Sequence, residues 1–151
     1  MIRTLTKIES QNILENNYIG NLSYIFLNRP FIAPITYHYV KDKNTIIGYS
    51  AKGQKITAMR KNINISLNVL EVDSINSWKS VLAHGTYNEL SGSAAKAKLH
   101  EFSLGVKKLI ISKEQRDLDF ISEFSSKIYK DDLPIIFTIN VDEISGKIRK
   151  V

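Results

Sequence analysis

The loop that follows the third apolar run of the chain has the composition of an anion-binding site. Residues 49–55 read YSAKGQK and separate a predicted strand from a predicted helix. A helix start offers unpaired backbone N–H groups, Ser50 adds a hydroxyl, and Lys52 and Lys55 add positive charge. Gly53 permits close approach of the backbone to a ligand. A phosphate suits this combination best, although an exposed turn in which Ser50 only caps the helix has the same composition.

The remaining side chains that could do chemistry are dispersed. His38, His84 and His100 lack the short spacings of a zinc site, and a Gly-x-Ser-x-Gly nucleophile motif is absent. The chain has no cysteine, which excludes disulfides, thiolate nucleophiles and iron–sulfur clusters. Each histidine is expected to be structural, with a substrate contact or an axial haem bond as the alternative for His38 and His84. Redox chemistry therefore requires a bound cofactor.

Length and composition predict one soluble domain. The chain has 151 residues, of which 43% are hydrophobic and 24% charged, as in ordinary globular proteins. No apolar run approaches the roughly 18 residues of a membrane span, and the N-terminus lacks a signal-peptide pattern. We therefore expect a single cytoplasmic domain over residues 1–151. The net charge of +6 invites a nucleic-acid function, but the basic residues are scattered, and we expect neither a nucleic-acid nor a membrane partner.

The hydrophobic pattern predicts short strands in hairpins. Apolar and polar residues alternate with a period of two, most clearly over residues 63–69. Six strands are expected, at residues 18–27, 31–40, 45–49, 63–69, 78–90 and 135–141. Such a set closes most economically as a six-stranded antiparallel barrel with peripheral helices, so the predicted fold class is mainly β.

Three helical regions are expected around these strands. Thr6 and Glu9 form a capping-box pattern at the start of a short N-terminal helix. A second helix covers residues 54–61. The segment 94–129 is predominantly helical and is predicted to form two helices interrupted near Ser112, packed outside the barrel.

Turn and strand residues add local predictions. Residues 28–30 are expected to form the first hairpin turn. Pro34 cannot donate a backbone hydrogen bond and indicates a strand edge or a bulge, and Gly85 indicates a bulge. Residues 147–150 are expected to be a basic tail beyond the last strand.

Six segments of the chain carry a combined family signature. They read PFIAPITYHY at residues 30–39, IIGYSAKGQKI at 46–56, MRKN at 59–62, ISLNV at 65–69, WKSVLAHG at 78–85 and ISGK at 144–147. In this order they resemble the FMN-binding split barrels related to pyridoxamine 5′-phosphate oxidase, and most of all the nitroimidazole-resistance branch. The match spans most of the chain and implies one FMN-binding split-barrel domain.

The resemblance assigns candidate cofactor contacts to three regions. The second strand is expected to pass along the flavin ring, largely through backbone groups, at Pro34, Ile35, Thr36 and Tyr37. The phosphate site is expected at Ser50, Ala51, Gly53 and Lys55, with Lys55 the first choice among them. A later strand is expected to approach the flavin across a dimer interface with Trp78 and Ser80. Ordinary strand or turn packing is the alternative for each residue.

Two departures from the family pattern limit which residue roles can be carried over from the family to this chain. Tyr49 stays among the candidate cofactor-site residues, but many nitroimidazole-resistance proteins have histidine at this position. A histidine contact to phosphate or substrate is therefore not carried over. The C-terminus lacks the arginine-histidine substrate motif of true pyridoxamine-phosphate oxidases, so a role in vitamin synthesis is not expected.

The resemblance implies an FMN-dependent oxidoreductase that acts as a homodimer. We expect electrons to pass from a nicotinamide donor to a small nitroaromatic or quinone-like acceptor. The dimer interface is expected to help form two flavin sites, because a barrel of this size has little room for the whole ring. No catalytic side chain is assigned, since flavin performs the electron transfer itself. The alternatives are a non-enzymatic flavin- or haem-binding protein that stores, senses or delivers its ligand, and a basic nucleic-acid-binding domain without cofactor.

Overall fold

The alternating segments of the chain form an antiparallel barrel in the computed structural model, which describes residues 1–114 and 134–151. Its strands in these residues are β1 (Ile2–Thr4), β2 (Ile19–Phe26), β3 (Arg29–Val40), β4 (Thr45–Ser50), β5 (Asn64–Ser74), β6 (Ser77–Leu90) and β7 (Ile135–Arg149). Its helices are α1 (Lys7–Glu15), α2 (Gln54–Lys61) and α3 (Gly92–Glu114), with a single 3-10 turn at Lys41–Lys43.

Six strands close the barrel. β7, β4, β3, β2, β5 and β6 pair in that order, and β6 pairs with β7 to complete the ring. The predicted six-stranded antiparallel barrel is therefore confirmed. β1 is a seventh strand that pairs with the end of β7, with Ile2 opposite Arg149. The predicted basic tail is wrong for residues 147–149, which belong to β7.

The barrel interior is filled by the inward residues of each strand. Tyr37 and Phe137 are fully buried there together with Leu22, Leu67 and Val81. Because side chains alternate along a strand, the residues between these positions face outwards. On β3 this places Pro34, Thr36 and His38 on the outer side, as the strand pattern predicts.

α3 packs outside the barrel as predicted. Its buried residues, including Leu99, Phe102 and Val106, form a second apolar cluster with Ile47 and Ile136. The predicted break near Ser112 is wrong, because α3 continues without interruption to Glu114. The rest of the predicted helical segment, residues 115–129, lies outside the described residues.

α1 begins at the predicted capping box and is fastened to the barrel. The Thr6 hydroxyl accepts from the Glu9 amide at 3.1 Å, and the Glu9 carboxylate accepts from the Thr6 amide at 3.0 Å. The hydrogen bonds from Arg3 lower the pKa of Glu9 to about 2. At the other end of the helix, the Tyr37 hydroxyl donates to the Leu14 carbonyl at 2.8 Å.

Two local backbone features concern the predicted bulge at Gly85 and the predicted first hairpin turn. The β6–β7 register slips between His84 and Gly85, where β7 carries the extra residue Asp142, so the irregularity predicted at Gly85 is present with β7 as the bulged strand. A side chain at Gly85 would overlap the Asn140 carbonyl, so the close strand approach requires glycine there. The first hairpin turn consists of Leu27 and Asn28 rather than residues 28–30.

Candidate functional site

The barrel wall opens between β3 and β4. β4 pairs with β3 over residues 37–40 only. The preceding residues of β3, 29–36, pair with β2 alone, while β4 continues along β7 as far as Ser50. The two strands therefore separate and leave a groove between residues 34–36 and 49–50.

β3 presents unpaired backbone groups to this groove. The Tyr37 amide donates to the Tyr18 carbonyl at 2.8 Å, on the side of β2. Because backbone groups point alternately to the two sides of a strand, the N–H and C=O of Thr36 and the C=O of Pro34 face the opening. Pro34 has no N–H and leaves no donor unsatisfied, so its predicted edge position is confirmed.

The N-terminus of α2 lies at the other side of the groove. Gly53 is the N-cap, no side chain caps the helix, and the Thr57 amide donates to the Gly53 carbonyl at 3.1 Å. The amides of residues 54–56 have no partner within the helix. A Cβ added at Gly53, which lines the groove, would meet no heavy atom within 4 Å, so the space beside its backbone is open.

Ser50 and two lysines flank the same loop. Ser50 is only 8% exposed, and its hydroxyl donates to the Ala51 carbonyl at 2.9 Å. Lys52 is exposed and Lys55 is half-buried. Neither lysine belongs to the ion pairs found in the described part of the chain. The loop therefore combines positive charge, a hydroxyl and free amides, the groups that bind phosphate.

These elements line one groove of about 590 Å³. It brings together eight of the residues predicted from the sequence: Pro34, Ile35, Thr36, Tyr49, Ser50, Ala51, Gly53 and Lys55. Four further residues line it: Tyr24, Ala33, Lys52 and Gln54. The ring and phosphate regions expected from the resemblance are thus parts of one continuous surface.

The groove residues absent from the predicted set come from two sources. Lys52 and Gln54 belong to the loop and helix start at residues 49–55, so this sequence motif already indicates that they lie at the site. Tyr24 lies on β2, and only the pairing of Tyr24 with Phe31 carries it to the groove. The Gln54 amide donates to the Tyr24 hydroxyl at 3.4 Å and joins the two sides.

Three predicted residues have side chains outside the groove of a single chain. The Tyr37 side chain is buried in the core, and burial raises the pKa of its phenol well above the ordinary value. Trp78 and Ser80 lie on the outer side of β6, where the Asn68 amide donates to the Ser80 hydroxyl at 3.0 Å. Their predicted role requires a second chain and stays a prediction.

Tyr49 is held as a neutral phenol at the edge of the groove. Burial raises its pKa, and its hydroxyl hydrogen-bonds with the Thr36 side chain. Its ring meets Phe102 of α3 edge to face, with centroids 5.2 Å apart. This position links the open strand of the barrel to the outer helix.

The histidines lie away from this groove. His38 is half-buried against α3, where a side chain at Gly105 would overlap its ring, and burial lowers the pKa of His38. It lines a separate cavity of about 640 Å³ that Lys41 and Lys108 also border. The His84 Nδ1 atom lies 2.5 Å from the Ser66 hydroxyl on the outer face of the sheet.

Residues 1–114 and 134–151 contain neither a cluster of metal-binding side chains nor a membrane-spanning helix. No group of three or more metal-binding side chains comes together there. No helix in these residues is long and apolar enough to cross a membrane.

Residues 6–147 match the family model described as pyridoxamine 5′-phosphate oxidase. The chain belongs to the pyridoxamine 5′-phosphate oxidase family. The match covers nearly the whole chain, from the capping box of α1 to Lys147 in β7. The resemblance carried by the six sequence segments is thereby confirmed, and so is the split-barrel fold.

Relatives of this oxidase-family chain cover it almost completely. A protein of Rhizobium meliloti (strain 1021) is 28% identical over 148 residues, which are 97% of this chain and 94% of the relative. The structure of an FAD-binding protein from Mesorhizobium loti is 26% identical, covers 99% of both chains and has a TM-score of 0.75. A candidate 5-nitroimidazole antibiotic resistance protein from Bacteroides thetaiotaomicron is 16% identical, with 98% and 89% coverage and a TM-score of 0.60. At that identity the third likeness concerns the fold alone.

Proposed function

We propose that the groove binds the flavin mononucleotide unit, as FMN or as the FMN half of FAD, and that the protein is a flavin-dependent oxidoreductase. One observation carries the proposal. The groove of about 590 Å³ joins the open backbone of β3 to the N-terminus of α2 and Lys55. A flavin needs such a combination, because its ring is flat and its ribityl chain ends in a phosphate. The FAD-binding relative from Mesorhizobium loti supports the same cofactor class.

The ring portion of the cofactor fits the open edge of β3. The backbone N–H and C=O of Thr36 and the C=O of Pro34 face the groove, so they supply both a donor and acceptors to the polar edge of the ring. Tyr49 and Ile35 border the same region with apolar surface. Tyr37 contributes through its place in the strand, since its own side chain is in the core.

The phosphate portion fits the loop before α2. The amides of residues 54–56 and the Ser50 hydroxyl are donors, and Lys55 adds a charge-assisted bond. Gly53 leaves open space where any larger residue would place its side chain. These donors, the charge and the open space support this loop as the place of the phosphate end of a flavin.

The bound flavin supplies hydride or electron transfer, and the protein supplies orientation and access. We propose a nicotinamide cofactor as donor and a nitroaromatic or quinone-like molecule as acceptor. The split between β3 and β4 leaves one side of the groove open to such small molecules. Tyr49 keeps its proton at neutral pH, because burial raises its pKa. It can therefore orient an acceptor as a hydrogen-bond donor.

We also propose that two chains form a homodimer through the outer face of the sheet. Apolar residues on this face are 39% to 71% exposed: Ile19, Ile25, Ile32, Leu70 and Val72. Clustered apolar exposure of this kind is typical of protein interfaces. Pro34 and Thr36 lie on the same face, so a second copy would close the groove and bring Trp78 and Ser80 towards it. Light scattering should give twice 17.2 kDa, and a monomer with stoichiometric flavin would contradict the interface.

The decisive experiment is a flavin titration of the wild type, Gly53→Leu and Asn76→Leu. Gly53→Leu adds a bulky side chain at the groove lining without backbone strain, because the φ angle of 170° is extended and the added Cβ meets nothing. We expect flavin absorption and fluorescence quenching with the wild type and a strong loss with Gly53→Leu at unchanged melting temperature. Asn76→Leu adds the same side chain at an exposed turn and should bind flavin normally. Failure of the wild type to bind FMN or FAD would refute the proposal.

Activity is tested separately from binding. Flavin-loaded protein should oxidise NADH or NADPH in the presence of a benzoquinone or a nitroimidazole, followed by nicotinamide absorbance. Normal flavin binding without turnover for any donor and acceptor pair would favour a storage or delivery role instead.

A haem site is the second candidate function, and His38 favours it. Burial holds the pKa of this imidazole below its ordinary value, so the neutral form that binds iron predominates at neutral pH. The adjoining cavity of about 640 Å³ has lysines at its border that suit carboxylates. The absorption spectrum separates the two functions, because haem gives a Soret band that His38→Ala should abolish.

A further inference from the structure

We propose that the tip of the β2–β3 hairpin binds the adenine end of FAD, so that the protein prefers FAD to FMN. This inference rests on the proposed flavin function. It adds a second binding surface, defined by Tyr24, Phe26, Leu27 and Phe31 and called here the hairpin platform. The mononucleotide site described above does not include Phe26, Leu27 or Phe31.

The hairpin platform is an aromatic surface continuous with the groove. Tyr24 lines the groove and stacks on Phe31, with ring centroids 5.7 Å apart and planes 10° apart. Phe26 meets Phe31 edge to face at 6.3 Å. Phe26 and Phe31 are half-buried, so part of their ring surface remains accessible. Flat purine bases bind to aromatic rings of this kind by stacking.

The turn of the hairpin carries a second, independent signal. Leu27 and Asn28 have φ angles of 50° and 61°, in the left-handed region. Asparagine tolerates this conformation, whereas it is unfavourable for a residue such as leucine. Leu27 is also 79% exposed, so it gains almost nothing from packing in the free protein. The two-residue turn itself requires these angles at both positions, and it holds the exposed apolar side chain of Leu27 at the hairpin tip, where a ligand can reach it.

The loop lysines fit the link between the two surfaces. Lys52 and Lys55 both line the groove and lie on either side of Gly53. FAD joins its two halves through a pyrophosphate, whose oxygens extend over a longer stretch than those of one phosphate. Two cations beside an uncapped helix start suit such a diphosphate.

The hairpin platform faces away from the proposed dimer interface. Tyr24, Phe26 and Phe31 point to the inner side of β2 and β3, as the burial of Tyr24 shows. The exposed residues Ile25 and Ile32 lie between them in sequence and point to the outer side. A second copy on the outer face therefore leaves the rings free, and adenine is the occupant that continuity with the groove indicates.

The test compares FMN and FAD affinities for four forms of the protein by fluorescence titration. The wild type should bind FAD about tenfold more tightly than FMN, the order of effect that one stacked base produces. Phe31→Leu keeps apolar volume but removes the ring, and Leu27→Gly removes the strained side chain. Each should lower FAD affinity about threefold to tenfold and leave FMN affinity unchanged. Ile75→Gly is the matched control, because Ile75 is 81% exposed at the β5–β6 turn, and it should change neither affinity.

Leu27→Gly separates binding from folding. Glycine adopts left-handed angles freely, so the melting temperature of the Leu27→Gly variant should equal or exceed that of the wild type, while its FAD binding weakens. Equal wild-type affinities for FMN and FAD, or equal losses of both in the variants, would overturn the hairpin platform and leave the flavin groove standing. Absence of binding by either flavin would instead overturn the groove and the platform together.

Discussion

Replacing Lys55 by alanine should weaken FMN binding far more than the same replacement at Lys107. Lys55 is the second residue of α2 and lines the groove. Lys107 is exposed on α3, outside the barrel. Both changes remove one positive charge from a chain of net charge +6, so a purely diffuse electrostatic effect would be similar for the two.

The size of the effect follows from the surroundings of Lys55. A hydrogen bond to a charged group contributes about 1.5–3 kcal/mol, which corresponds to a loss of affinity of about 10-fold to 150-fold. Lys55 is half-buried rather than enclosed, so water competes for the phosphate and the lower part of this range applies. We expect about a tenfold weaker affinity for Lys55→Ala and less than about a twofold change for Lys107→Ala.

Flavin-fluorescence titrations at low and moderate salt measure this difference. Screening reduces the contribution of a distant exposed charge strongly, because the Debye length falls to about 8 Å at physiological ionic strength. The Lys55→Ala effect should therefore persist at the higher salt concentration. Equal losses for both variants that fade together with salt would show that general electrostatics, and no dedicated phosphate site, explain the affinity. Unchanged melting temperatures would confirm that both variants are folded.

Three further predictions concern the elements that hold the site in place. Gly85→Ala should destabilise the barrel by about 1–3 kcal/mol in urea unfolding, because the new methyl group overlaps the Asn140 carbonyl; an unchanged midpoint would mean that the strands can move apart there. Tyr37→Phe should cost about 1–2 kcal/mol, since a buried backbone carbonyl of α1 loses its donor, and a neutral result would indicate that water replaces the hydroxyl. Glu9 has a folded pKa of about 2 against 4.5, lowered chiefly by its hydrogen bonds with Arg3. Its charge therefore adds stability above about pH 4.5 that is lost as the pH falls towards 2. The stability difference between wild type and Glu9→Gln should shrink as the pH falls from about 4.5 towards 2, and a constant difference across that range would contradict the linkage.

The fold was largely readable from local patterns. Period-two alternation located six strands, and the capping box at Thr6 and Glu9 located the start of α1. These two patterns could be recognised in the sequence because each depends only on residues a few positions apart. β1 was missed, because three exposed residues carry no alternation and form a strand only against the end of β7. The position of Ser112 inside an unbroken α3 was also missed, since a serine in a helix can bond the preceding turn.

Neighbouring residues in the sequence were enough to identify the candidates for a phosphate site. Ser50, Gly53 and Lys55 are neighbours in the chain, and a loop before a helix has much the same chemistry wherever it lies. The family resemblance added residues 34–37 as contacts to the flavin ring. It gave no distance between these residues and the phosphate loop. The separation of β4 from the part of β3 that precedes Tyr37 became visible only in the tertiary structure, because strand register depends on pairings between distant segments. That parting joins the ring-contact residues and the phosphate loop in one groove, which also includes Tyr24 from β2 and does not include Trp78.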